Sequence, residues 1–439
     1  MYNNLGIPGH NGFGVGICDP SKIPHLDLEL LSNDIDDINY GNYKYKYSNS
    51  IMVYIPKFYY RIGHFDNSTY NTYHANSIDI KQFSTTTEAE NSGYKLHRAF
   101  INNGIEIDGF FVDKYLCSNG YGVASSLKNG SPISTHADNN PISQINTCSV
   151  DQFYEAINAS KSRGSIFFCN TRFNRSALFM LFVAHQQSFF PTNEYRAWRN
   201  YNTLYNYIRG CNNKNLGDII DNTITYSGTG YEHALYGKAC KTGSSNYFNK
   251  TTHNGQSSGV CDLNGCMSEI EIGITRISNH RGDSTSGTNG NIFYILKEDI
   301  DIKELNGEWN IENACWGDVN HLNEYYDAIS IPYIIHDKTS KKYGNRNHQI
   351  FSNHIKGFGN EYLFTNLGLP KNNNSISSFG SSLFGNCSIY NRYRNNLCVV
   401  SGGSWSDGEN SSILTIDFNF TRTCSDVRVG FRLACHPLA

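Results

Sequence analysis

The sequence predicts an α+β protein, on three observations. Tyr (30), Phe (25) and Gly (39) are numerous while charged residues make up only 17% of the 439. Tyr and Phe favour strands, and Gly together with the abundant Asn favours turns, so many short strands joined by long polar loops are expected. Two helical stripes stand near the middle of the chain, and scattered short apolar runs follow them. Core helices followed by scattered strands describe α+β organisation with large loops.

The first strand signal is Tyr43-Lys44-Tyr45-Lys46-Tyr47, which alternates with period two. Ile51 to Ile62 reads as a second strand, with Pro56 placing it at an edge or a bulge. Residues 66–92 are polar and read as a loop. From Ile105 to Tyr115 an apolar, β-prone run with a turn at Asp108-Gly109 reads as a first core strand. Ser149 with Gln152 has the form of a capping box opening a helix through Phe153 and Ile157, with Gly164 as its stop. A second helix starts at Asn170 or Thr171. Phe173, Ala177, Met180, Leu181 and Ala184 form its core stripe, and Phe189-Phe190-Pro191 closes it. No internal repeat occurs.

Composition excludes several classes. Net charge is −3 and the isoelectric point about 6.6, so a broad basic nucleic-acid surface is not expected. No run of roughly 18 apolar residues exists to cross a membrane. Met1-Tyr2-Asn3-Asn4-Leu5-Gly6 lacks a basic region followed by an apolar one, so no signal peptide is expected. The 13 Cys contain no C-x-x-C and no zinc-finger spacing, which favours buried free thiols.

Enzyme signatures fail on context. Gly12-Phe13-Gly14-Val15-Gly16 lacks the strand and helix of a phosphate loop. Gly255-Gln256-Ser257-Ser258-Gly259 matches a nucleophile elbow by letter, but polar residues precede it and no helical period follows. Arg281-Gly282-Asp283 is an adhesion tripeptide by letter only. His185, alone on a helix, reads as structural. No cofactor is expected. Asp407 and Glu409 beside Asn410 carry oxygen atoms of the kind Ca²⁺ takes, although a solvated polar loop is the better account of them.

Three segments in the C-terminal half carry a resemblance. They are Thr252 to Glu269, with Gly259, Asp262, Gly265 and Glu269 in a Gly-x-x-Asp-x-x-Gly-x-x-x-Glu spacing; Gly402-Gly403-Ser404-Trp405; and Val429-Gly430-Phe431-Arg432-Leu433-Ala434. In this order they resemble the formylglycine-generating-enzyme branch of the C-type lectin fold, although Cys266 stands where that family has Asn. Gly93 to Tyr115, Ile55 to Tyr60 and Gly210 to Asn213 are similar to lectin-fold proteins of bacteriophage tails and of diversity-generating retroelement systems. The resemblance implies two helices on short, twisted antiparallel sheets over residues 95–439. A β-rich region, 1–94, would precede them for attachment or oligomerisation.

Residue by residue, Asp262 and Glu269 are expected to hold loop backbone through hydrogen bonds. Gly402 and Gly403 would allow close backbone approach, Trp405 would anchor the core, and Val429, Phe431 and Leu433 would alternate in a half-buried final strand. Gly265, Gly430 and Arg432 belong to the same scaffold. The family's oxidising enzymes carry two Cys after the Gly-Gly-Ser-Trp segment, where this chain has Asp407 and Ser412, so their copper and thiol chemistry lacks its ligands. Cys398 and Cys424 are the alternative thiols for such an oxidase.

The remaining use of the fold is recognition. The resemblance implies a non-enzymatic receptor-binding protein in a phage virion, in its tail, contacting other tail proteins and forming a homo-oligomer such as a trimer. Its partner would be a host-surface protein or glycan, with neither nucleic acid nor membrane insertion involved. The ligand face would lie between Gly380 and Asn419. Its contact residues would be Tyr390, Asn391, Arg392, Tyr393 and Arg394, then Ser406, Asp407, Glu409 and Asn410. Tyr and Arg both stack and hydrogen-bond, which suits contact anchors; packing of Tyr390 and Tyr393 inside the sheet is the alternative. A structural virion component without ligand is a further reading.

Overall fold

The computed structural model describes residues 2, 4–188, 208–276, 292–305, 319–331, 340–343, 349–352, 360–372, 376–377, 387–390 and 396–439. Helices and sheets are mixed, and the sheets are small, as an α+β sequence requires.

Two sheets carry most of the order. The first has six strands, in the order Leu28–Leu30, Asn42–Tyr45, Ile51–Pro56, Gly109–Asp113, Leu433–Cys435 and Phe168–Cys169, all antiparallel. Strands from both sides of residue 94 therefore hydrogen-bond in one sheet. The alternation at Tyr43 works as read: Tyr43 and Tyr45 are buried, while Tyr47 lies beyond the strand and is exposed. The Ile51–Pro56 strand is central rather than at an edge. Pro56 is tolerated because it is the last residue of that strand, opposite Gly109. The chain then turns at Lys57 and Phe58, so the apolar run to Ile62 splits. Tyr59–Ile62 forms a separate sheet with Ile78–Lys81 and Lys95–Leu96.

The segment 66–92 is not a loop. It holds a helical turn at Tyr70–Tyr73, the Ile78–Lys81 strand and a helix at Thr86–Asn91. Thr85 caps that helix, its hydroxyl accepting the Glu88 amide at 3.2 Å, while the Glu88 carboxylate accepts the Ser84 amide at 3.3 Å. This is a capping box hidden in a polar stretch.

The second sheet has seven strands: Ile376–Ser377, Ser340–Tyr343, Ser388–Tyr390, Ser412–Thr421, Leu397–Gly402, Ser268–Glu271 and Val429–Gly430. The long helix, Arg172–Ser188, is buried along almost its whole length. Thr171 caps it, accepting the Asn174 amide at 3.0 Å. The shorter helix begins at Glu155 and ends at Lys161, later than the Ser149 signal suggests. Ser149 does not cap it; its amide and hydroxyl both donate to the Glu155 carboxylate at 3.1 Å. Phe189 to Pro191 and Arg281 to Asp283 lie outside the described residues.

Buried charge joins these layers. Glu269 accepts Arg175 Nη1 at 2.7 Å and Arg432 Nε at 2.6 Å. Glu271 pairs with Arg172 at 3.1 Å and lies 3.7 Å from Arg175 Nε. Asp113 accepts both Arg163 Nη1 (2.5 Å) and Arg163 Nη2 (3.0 Å), and also takes the Leu433 amide at 3.0 Å. The side chains of these seven residues are essentially closed to solvent.

Glu269 therefore binds two guanidinium groups rather than loop backbone. Asp262 does hold backbone, accepting the Gly243 amide at 2.6 Å. The expected single final strand is two short strands in different sheets, because Arg432 turns inward to Glu269 instead of outward to water. Removing one member of a buried pair leaves an uncompensated charge, typically at a cost of about 3–5 kcal/mol. Glu269→Gln is expected to lower stability by that order, read as a fall in the urea midpoint.

Candidate functional site

The turn that positions the site is built on glycine. Gly402 has φ +92°, and a Cβ there would stand 2.6 Å from Arg175 Nη2 and 2.7 Å from the Leu263 carbonyl. The Gly402 carbonyl accepts the Gly265 amide at 3.2 Å, and the Trp405 amide donates to the Cys266 carbonyl at 3.1 Å. Trp405 is buried in a second apolar cluster with Leu116, Tyr226, Met267 and Val427. Gly430 is buried in the short strand beside Ser268–Glu271, and Phe431 belongs to the main core.

Above this turn, on the seven-stranded sheet, lies a recess of about 330 Å³. Tyr390, Asp407, Asn410, Asp417, Asn419, Phe420 and Arg428 line it, with Ser268, Gly403 and Val429. Of the expected contact residues, Tyr390 is half-buried on its wall. Asp407 is half-buried, while Ser406, Glu409 and Asn410 are exposed on the loop around the rim. Asn391, Arg392, Tyr393 and Arg394 lie outside the described residues.

Asp407 is committed to its own loop. Its Oδ2 accepts both the amide and the hydroxyl of Ser404 at 2.6 Å. Among the described residues no three His, Cys, Asp or Glu side chains gather as a metal site. Cys398 is buried, and burial pushes its thiol up to about 12, away from the thiolate that oxidation needs. The Gly255 to Gly259 segment is a turn whose Ser257 carbonyl accepts Lys114 Nζ at 2.6 Å, without a strand before it or a helix after it. Phe13, in the glycine-rich segment near the start, stacks on His185 at 5.3 Å.

Two recess residues are absent from the expected set. Arg428 is held by Asp426 through Nε (2.9 Å) and Nη2 (2.7 Å) and lies over the Tyr236 ring at 4.1 Å. Asp417 stands on the Ser412–Thr421 strand and takes the Asn419 amide on Oδ1 at 2.7 Å. Burial pushes its carboxyl up to about 7; the Asn419 amide opposes this and the nearby Asp407 charge adds to it. A signal for Asp417 did exist. Ile416-Asp417-Phe418-Asn419-Phe420 alternates, which puts a carboxylate on the polar face of a β-prone run.

No family model matches the chain, and no curated protein matches it. Solved structures similar to it include two Major Tropism Determinant variants. One is the Major Tropism Determinant U1 Variant, 11% identical over 89% of this chain and 64% of that chain, with a TM-score of 0.31. The other is the Major Tropism Determinant M1 Variant, 10% identical over 89% of this chain and 63% of that chain, with a TM-score of 0.32. The chain thus spans under two thirds of the length of either. Among the described residues no helix is long and apolar enough to cross a membrane.

A carboxyl whose folded-state value is raised makes the folded protein bind more protons than the unfolded chain. Its favourable contribution is present below pH 4 and is lost as pH rises through about 7. Asp417→Asn is therefore expected to be more stable than the parent at pH 8, with the difference closing toward pH 4, as read by melting temperature at both values. Asp407→Ala removes both bonds to Ser404 and is expected to cost about 1–3 kcal/mol, with faster amide exchange confined to residues 404–411.

Proposed function

We propose that this protein is a non-enzymatic receptor-binding component of a phage tail, or of a related bacterial display system, within the virion. The observation that carries the reading is the recess on the seven-stranded sheet. It is concave and aromatic-walled, its rim is polar and exposed, and its base rests on buried ion pairs. Recognition sites are concave, with a few fixed polar groups among larger contact surfaces.

The motifs from Gly259 to Arg432 support assigning the C-type lectin fold to residues 95–439. In this reading residues 1–94 attach the chain to the particle or to sister chains in a homo-oligomer such as a trimer. Their exposed Ile7, Ile38, Tyr47 and Phe65 are side chains that such contacts would cover. Tyr390, Ser406, Glu409, Asn410 and the neighbouring Asn391 to Arg394 contact a host-surface protein or glycan. Weak single-site affinity is raised by multivalency.

The test is saturable binding of purified protein to intact cells of strains infected by the parent particle, with and without Ca²⁺. Binding to one strain is expected, unchanged by Ca²⁺ because Asp407 is occupied by Ser404. Placing bulky side chains on the exposed rim, with Ser406→Trp and Asn410→Trp together, should reduce binding at least tenfold while leaving the melting temperature unchanged. Absence of binding to every such strain by folded protein would favour a structural virion component.

A further inference from the structure

We infer that the recess seats a protonated amine, the ammonium of a lysine side chain on the target protein, with Asp417 as its acceptor and Tyr390 and Phe420 flanking its stem. This rests on the receptor-binding reading and specifies its ligand.

The charge balance around Asp417 comes first. Its own strand, Ser412–Thr421, carries no other charged residue, and neither does the adjacent Leu397–Gly402 strand. Ser388–Tyr390 contributes only the Tyr390 phenol, and the strand paired with it, Ser340–Tyr343, carries Lys341 and Lys342. The loop above supplies Asp407 on the wall and Glu409 on the rim, and the turn beyond supplies Asp426 and Arg428. Arg428 is the one described cation facing the recess, and Asp426 holds it by two hydrogen bonds. Arg428 offsets the Asp417 charge only in part, because Asp426 shares its guanidinium.

Several polar side chains around it are already bonded. Ser404 and Asp407 bond each other, and the Thr415 hydroxyl donates to the Asn410 carbonyl at 2.8 Å. Asp417 Oδ2 is an acceptor to which no described residue donates. That single oxygen separates lysine from arginine. A guanidinium prefers two parallel bonds to one carboxylate, and Oδ1 already belongs to the Asn419 amide. An ammonium is a compact point charge on an aliphatic stem, and such stems pack along apolar walls. The recess, about 330 Å³, admits one such side chain.

The amine stays protonated across neutral pH while Asp417, held near 7, gains its charge there. Affinity therefore rises with pH through 7 and falls by up to about tenfold per unit below it.

The first arm titrates Nα-acetyl-lysine methylamide, its norleucine counterpart and glucosamine into the purified protein at pH 6 and pH 8, followed by NMR. Expected is saturable shift of recess signals by the lysine probe, about tenfold weaker at pH 6 than at pH 8, and no binding of norleucine. Asp417→Asn, shown folded by its melting curve, should abolish both the binding and its pH dependence. Equal binding of norleucine, or lysine binding that Asp417→Asn leaves unchanged, overturns the inference. Binding of glucosamine without lysine also overturns it, in favour of an amino sugar.

The second arm acetylates the amines of whole cells before the binding assay. Loss of cell binding is expected. Cells that bind equally well after acetylation sink the lysine assignment while leaving receptor binding standing. Cells that never bind sink the receptor reading, and the probe titration then judges the recess alone.

Discussion

One carboxylate carries an unusual share of this architecture. Glu269 sits between Arg175 of the long helix and Arg432 at the entry to the closing strand. Its strand belongs to the seven-stranded sheet, while Arg432 leads directly into the six-stranded one. The same arginine reaches the carbonyl oxygens of Asp113 and Lys114 (3.3 and 3.0 Å) and of Cys261 (2.5 Å). Helix and both sheets are therefore oriented by groups that cannot be left alone. A buried charge without its partner costs far more than a mismatched apolar contact. Such a network is poor at adding net stability and good at excluding other arrangements of the same layers.

The recess inherits that rigidity. Ser268 and Val429, on either side of the parallel pairing at Glu269, are among its lining residues. The Gly402 turn fits only because nothing extends from its α-carbon toward Arg175. The rim is different in kind. Ser406, Glu409 and Asn410 face water on a short loop tied down by Asp407. Under the proposed function, a fixed floor below an exposed rim would let contacts change without disturbing the fold, and the half-buried Asp417 carboxyl, kept at a cost to the folded state, is what a floor serving binding would contain.

Much of this was legible in sequence, with physical reasons for the rest. The long helix was readable because five apolar residues from Phe173 to Ala184 keep helical spacing. The Ile51 and Gly109 strands were readable as β-prone runs. The polar segment at 66–92 concealed its elements because strand and helix there are short, and a capping box is two side chains among many Thr and Glu. The ionic network was unreadable for another reason. Arg172, Arg175 and Arg163 look like ordinary helix-surface residues until their partners, from 50 to 99 positions away, are brought alongside. Alternation at Val429 to Leu433 misled in the same way. Arg432, which should have faced solvent, found Glu269 instead. At the site, the exposed loop was legible from its polar residues, whereas the alternation at Ile416 to Phe420 placed Asp417 on a polar face without showing which surface that face lines.

The six-stranded sheet also constrains how the molecule comes into being. Leu433–Cys435 lies between Gly109–Asp113 and the edge strand Phe168–Cys169, so the sheet joins strands hundreds of residues apart in the chain. Arg432, which Glu269 requires, comes from the same late stretch of the chain. Strands made early must wait with a bare edge and an unsatisfied carboxylate. Pairings between segments this far apart in sequence form slowly, and unpaired strand edges are exposed until they do.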